Sequence, residues 1–75
     1  MSFEEAQSAF YDPRARVMED PAHSDEEERF LLLGMSIGLR LLIVCHCYRE
    51  RSETIRIISA RRATRRETEQ YGSMR

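Results

Sequence analysis

Between Arg29 and Arg61 the chain runs through three apolar segments, separated by two short breaks at residues 36–39 and 49–53. Segments of this length, rich in Leu, Ile and Val and bounded by Ser, Gly or charged clusters, fit β-strands better than helices. The reading places strands at residues 29–35, 40–48 and 54–61. Two hairpins in series make an antiparallel meander. A chain of 75 residues forms one small domain, residues 1–75. A domain of that size buries only about 60% of its unfolded surface. Its core is therefore marginal, and an oligomer or a partner would help to complete it.

The flanking segments supply the helices that such a sheet needs. Ser2 followed by Glu5 is a capping-box pattern, and Phe3, Ala6, Ala9 and Phe10 recur at helical spacing, which predicts a short amphipathic helix from residue 3 to about 11. Asp12-Pro13 ends it, Ala15 and Val17 fit a short edge strand, and residues 20–28, with Pro21 and five acids, read as a solvated loop. Thr64 and Glu67 form a second capping box, opening a helix that runs to about Tyr71 and stops at Gly72. The expected class is α+β: an antiparallel meander of three to four strands with a short N-terminal helix and a C-terminal helix.

Residues 30–48 are nineteen mostly apolar positions, near the length of a transmembrane helix. Arg40 would then sit at the bilayer centre at a cost of about 3 kcal/mol. His46 would add to that, and Gly34 and Gly38 look like punctuation between strands. We therefore expect no membrane span. Residues 1–11 carry two glutamates and no apolar core, so no secretory signal is expected either. Cys45 and Cys47, at i and i+2, are too far apart along a strand for an unstrained disulfide and read as reduced thiols of a cytoplasmic protein.

Charge is divided unevenly. Residues 1–28 hold nine acids against two arginines, whereas residues 29–75 hold ten arginines against four acids. All twelve basic residues are arginine, whose planar fork suits bidentate phosphate contact. The densest block is Arg56, Arg61, Arg62, Arg65 and Arg66. Arg56 and Arg61 fit phosphate contact, solubilisation of an edge strand, or pairing with the acidic head. Arg62, Arg65 and Arg66 sit at a helix start, where positive charge is unfavourable unless an anion lies nearby. Tyr48 and Tyr71 could stack on bases or form amphipathic edges of the core.

Hairpin geometry gives a candidate catalytic group. With a first loop of residues 36–39, Met35 faces Arg40 and Arg29 faces His46. With a second loop of residues 49–53, Tyr48 faces Thr54 and His46 faces Arg56. Arg29, His46 and Arg56 would then form one rung on one sheet face. Cleaving RNA without a metal needs a base for the 2′-hydroxyl, an acid for the leaving 5′-oxygen and cations for the phosphate, and these three residues meet that description. Glu67 is the cap partner of Thr64, with proton acceptor as its alternative role. Cys45-His46-Cys47 puts the histidine on the opposite strand face from both cysteines, so neither a metal nor another cofactor is expected.

Three stretches together resemble the BrnT-type toxins of bacterial type II toxin–antitoxin modules. They are Ser2-Phe3-Glu4-Glu5-Ala6 through Asp12-Pro13, then Glu28-Arg29-Phe30-Leu31-Leu32-Leu33-Gly34, and finally Ile55 through Glu67 with Tyr71. The resemblance implies a compact RelE-like fold and a ribonuclease that halts translation. It also implies neutralisation by a ribbon-helix-helix antitoxin, with DNA contacted only through the antitoxin complex. The matching polar positions are Arg29, His46, Arg56, Arg61 and Glu67. Family members usually carry a further N-terminal segment with a Lys-His-Gly-like stretch, whereas Met1 here stands directly at the Ser-Phe-Glu-Glu-Ala helix. Either the start is assigned too late or the domain is a shortened member, and the second case carries an alternative function: a non-catalytic module that only binds the antitoxin.

Overall fold

The computed structural model describes residues 1–20, 29–48 and 54–72. Helix α1 (Phe3–Ser8) runs into one 3-10 turn (Ala9–Tyr11). Strands β1 (Arg16–Glu19), β2 (Phe30–Met35), β3 (Leu41–Tyr48) and β4 (Ile55–Arg62) follow, and α2 (Arg65–Gly72) ends the order. The strands lie side by side in chain order, every pair antiparallel. The α+β class and the meander are as the sequence predicts. Residues 30–48 are two strands and a turn, and among the described residues no helix is long and apolar enough to cross a membrane. The expected acidic loop at 20–28, apart from Asp20, and the second break at 49–53 lie outside the described residues.

Of the two expected capping boxes one closes in full and the other makes only its Ser2 half. Thr64 and Glu67 exchange bonds reciprocally: the Glu67 amide donates to Thr64 Oγ1 at 3.2 Å and the Thr64 amide to Glu67 Oε1 at 2.8 Å. Ser2 Oγ accepts from the Glu5 amide at 3.0 Å, but the Glu5 carboxylate turns away to accept from Ser36 Oγ at 2.8 Å. The Ile37 amide donates to Ser8 Oγ at 2.8 Å. The first hairpin is thus fastened to α1 by side chains from both partners.

That hairpin corrects the expected register. The Ser36 amide donates to the Arg40 carbonyl at 2.8 Å, so the turn takes in residues 36–40 and Met35 pairs with Leu41 instead of Arg40. Leu39 carries the turn's left-handed conformation, φ 59°, at a position where glycine is the easier occupant. Phe30, not Arg29, therefore lies opposite His46. On the other side Tyr48 pairs with Ile55 instead of Thr54, and His46 with Ile57 instead of Arg56. An irregularity follows at Cys45/His46, where Ile58 is the extra residue. The expected Arg29–His46–Arg56 rung does not form, because a slip of one residue moves a side chain to the other sheet face.

One face of the sheet is sealed by α1 and its 3-10 extension. Ala6 and Ala9 pack on Leu32, Leu42 and Val44, with Phe10, Ala15, Ile57 and Ala60 around them. The approach is close at Gly34, where a Cβ would stand 2.8 Å from the Ala9 carbonyl oxygen and 3.2 Å from the Ala15 Cβ. On the other face Leu33 and Ile43 are buried, in one rung with Arg16 and Arg61. Helix α2 packs back towards β2, and its Tyr71 hydroxyl donates to Asp12 Oδ2 at 2.6 Å.

Candidate functional site

Strand alternation sorts the charged residues by face. Arg16, Leu33, Ile43 and Arg61 share a rung, Cys45 pairs with Ser59, and Cys47 pairs with Arg56. Extending the β2–β3 register by one residue brings Arg29 beside Cys47. All these positions point away from α1. The structure thus puts Arg29 and Arg56 on one face, on either side of Cys47 rather than His46, and the extra residue Ile58 brings Arg61 to the same face, which simple alternation along the strand does not predict. Arg16 joins them, a residue that sequence reasoning left inside an unremarkable edge strand. Between Arg29 and Arg61 lies a shallow depression of about 390 Å³, floored by Leu31, Ile43, Cys45 and Ser59 with Asp20 at its rim.

Arg61 and Glu67 are locked together on this face. Arg61 Nη1 and Nη2 donate to Glu67 Oε1 and Oε2 at 2.8 and 2.9 Å, a bidentate fork. The Arg61 hydrogen bond, with the Thr64 amide adding to it against the cost of burial, draws the Glu67 carboxyl down to about 2. Glu67 therefore serves three purposes: it caps α2, neutralises part of the arginine cluster, and aims the Arg61 guanidinium. It also answers the expected conflict of arginines at a helix N-terminus, because an acid stands in that first turn.

Cys45, on the same face, has a thiol 4.0 Å from Asp20 Oδ2. Burial pushes that thiol up, and the Asp20 carboxylate pushes it further, so it stays protonated and is no nucleophile near neutral pH. Among the described residues no group of His, Cys, Asp and Glu is arranged to hold a metal ion.

His46 is elsewhere. It is fully buried on the α1 face, with the Phe10, Phe30 and Tyr48 rings at centroid distances of 4.8, 6.0 and 5.5 Å. Its Nδ1 lies 3.1 Å from the Val44 carbonyl, which fixes Nδ1 as donor and leaves Nε2 a buried acceptor with no hydrogen-bond partner among the described residues. Burial lowers its pKa despite that carbonyl, so it is neutral at pH 7. Tyr48 belongs to this aromatic group, stacking edge-on to Phe30 at 5.4 Å, and not to the arginine face. Arg62, opposite Leu42, also points to the α1 side. Arg65 and Arg66 are exposed on the first turn of α2, and Arg65 reaches Glu69 at 4.0 Å.

Asp12 went unnoticed in sequence beyond its role as a helix stop. Its carboxylate accepts from the Arg14 amide at 2.9 Å, the Met35 amide at 2.8 Å and the Tyr71 hydroxyl. Burial opposes its ionisation, but these bonds and the Arg14 charge outweigh it and hold the carboxyl below its ordinary value. The Asp12 bond raises the Tyr71 hydroxyl. This junction ties the 3-10 turn, β2 and α2, and so fixes the angle at which α2 presents Glu67 to Arg61.

The family profile described as the ribonuclease toxin BrnT of type II toxin–antitoxin systems matches residues 1–67, from Met1 to Glu67. The chain belongs to the BrnT toxin family. Membership implies an RNA substrate and an antitoxin partner. The matched span carries all four arginines of the shared face and ends on the residue that orients one of them. No curated protein matches the chain.

Proposed function

We propose that the face bearing Arg16, Arg29, Arg56 and Arg61 binds the RNA backbone and cleaves it without a metal, halting translation until a ribbon-helix-helix antitoxin covers it. The observation that carries this reading is the placement of four arginines on one sheet face of a BrnT family member, two of them, Arg29 and Arg61, lining one depression. Guanidiniums neutralise the charge that builds on the phosphate as the 2′-oxygen attacks and the 5′-oxygen leaves. Glu67, the carboxylate held beside Arg61, accepts the 2′-hydroxyl proton in this reading, and the leaving 5′-oxygen takes its proton from water. With a pKa of about 2 Glu67 is a weak base, so the rate rests mainly on charge stabilisation. His46, neutral and enclosed, packs the core and transfers no proton. DNA is reached only through the antitoxin complex, and the protein works in the cytoplasm.

The test is incubation of the purified protein with RNA in excess EDTA. Products ending in 2′,3′-cyclic phosphate, absent with Arg61→Ala and with 2′-O-methyl RNA, are the expected result. Intact RNA, with antitoxin binding retained, would establish the second reading, a non-catalytic antitoxin-binding module. The burial of His46 and the engagement of Glu67 in capping and pairing favour that reading.

A further inference from the structure

The two edges of the sheet are unequal. β1 offers four residues, β4 offers eight, and among the described residues no strand pairs with the outer side of β4. A long unpaired edge is a template for another strand. Beside it, between α1 and β4, is a hollow of about 330 Å³ lined by Phe3, Phe10, Tyr11, Ile55 and Ile57 among others, and Phe3 and Tyr11 stand 63% and 80% exposed at its rim. On the opposite face the same strand presents Arg56 and Arg61. The edge is therefore apolar on one side and cationic on the other.

We propose that β4 is a docking edge for an extended segment of a partner protein in which acidic and apolar residues alternate. The alternation follows from the pleat: a strand laid along β4 points successive side chains to opposite faces. One set enters the hollow beside Ile55 and Ile57, and the other meets Arg56 and Arg61. The extra residue Ile58 puts Arg56 and Arg61, five positions apart, on one face, so the docked strand keeps its alternation by setting one residue against the Ile57–Ile58 pair, as β3 does on the inner side. A second copy of the chain fits poorly, since two β4 strands side by side would bring like-charged arginines together. The consequence for activity rests on the reading of the arginine face as the RNA site: acids set against Arg56 and Arg61 take two guanidiniums from the phosphate backbone. Inhibition then needs no change of fold.

The probe is a labelled synthetic peptide of about eight residues alternating glutamate with phenylalanine or valine, titrated into the intact protein without RNA. Saturable binding, with slowed amide exchange along β4, is expected. Methylating the peptide nitrogens along one edge, or replacing Arg56→Glu in the protein, weakens binding by about tenfold or more. Equal binding by the N-methylated peptide, or by a peptide of the same composition with its acids in one block, overturns the proposal. So does a dimer joined through β4 that excludes the peptide. RNA cleavage measured without peptide separates the two readings: a protein that cuts RNA but ignores the peptide overturns the docking edge alone, whereas one that binds the peptide and leaves RNA intact supports the edge and overturns the ribonuclease reading.

Discussion

The two faces of one four-stranded sheet have opposite chemistry. The α1 face is closed by alanines, leucines and an aromatic group around a neutral histidine. The other carries four arginines, two of which, Arg29 and Arg61, border a floor of Leu31, Ile43, Cys45 and Ser59. Successive residues of β3, and of β4 on either side of its extra residue Ile58, serve the two faces in turn, so position within the pleat decides whether a polar residue meets solvent or core. His46 and Arg56 are both polar residues on neighbouring strands, yet they lie on opposite sides. Residue type alone would have placed them together.

Truncating the closed face should have the largest effect. Leu42→Ala removes a fully buried side chain and should cost about 2–5 kcal/mol in urea unfolding, with the RNA affinity of the remaining folded protein unchanged. Loss of affinity in the folded fraction would show that the faces are not independent. Asp12→Ala comes next. It strands the Met35 amide and frees Tyr71, for an expected loss of about 1–3 kcal/mol. It should also loosen α2, read as faster amide exchange in residues 65–72.

The legibility of this fold followed the range of the interactions involved. Both helix starts, and the strand spans to within a residue or two, rest on near neighbours and are readable, whereas the Glu5 carboxylate leaves its cap for Ser36, 31 positions away. The register depended on whether Arg40 and Thr54 belonged to the strands or to the breaks between them, which leaves no pattern in the sequence. That is why Arg29 and Arg56 were correctly paired with each other but assigned the wrong central residue. Asp12 and Tyr71 lie 59 positions apart, and no local signal joins them. Arg16 became visible only once its rung with Leu33, Ile43 and Arg61 was known.

On the arginine face, Arg61→Ala should leave stability within about 1 kcal/mol, because the pair is exposed, while weakening RNA binding. Affinity for single-stranded RNA should fall with salt at a logarithmic slope of roughly −3 for four phosphate contacts, and by about 0.7 less for each arginine removed. A slope unchanged by Arg16→Ala would take that residue out of the site.

The smallest effect concerns acid. His46 has a lowered folded pKa against an ordinary value of 6.5, so the unfolded chain binds the extra proton and stability declines as pH drops below about 6.5. Asp12 and Glu67, also lowered, contribute stability that is lost only further down, below their ordinary carboxylate values of 3.8 and 4.5. His46→Phe should flatten the upper part of the curve and leave the lower part intact, as followed by thermal melting from neutral pH down through the range in which both carboxylates protonate. An unchanged upper limb would mean that His46 is not held neutral.

The division between the faces is tested most directly by amide chemical-shift mapping with a 2′-O-methyl RNA that cannot be cut. The account predicts shifts at Arg16, Arg29, Cys45, Arg56, Ser59 and Arg61, with Ala6, Phe10 and Val44 undisturbed. Shifts concentrated on Phe3, Phe10, His46 and Tyr48 would place the RNA on the closed face and contradict it.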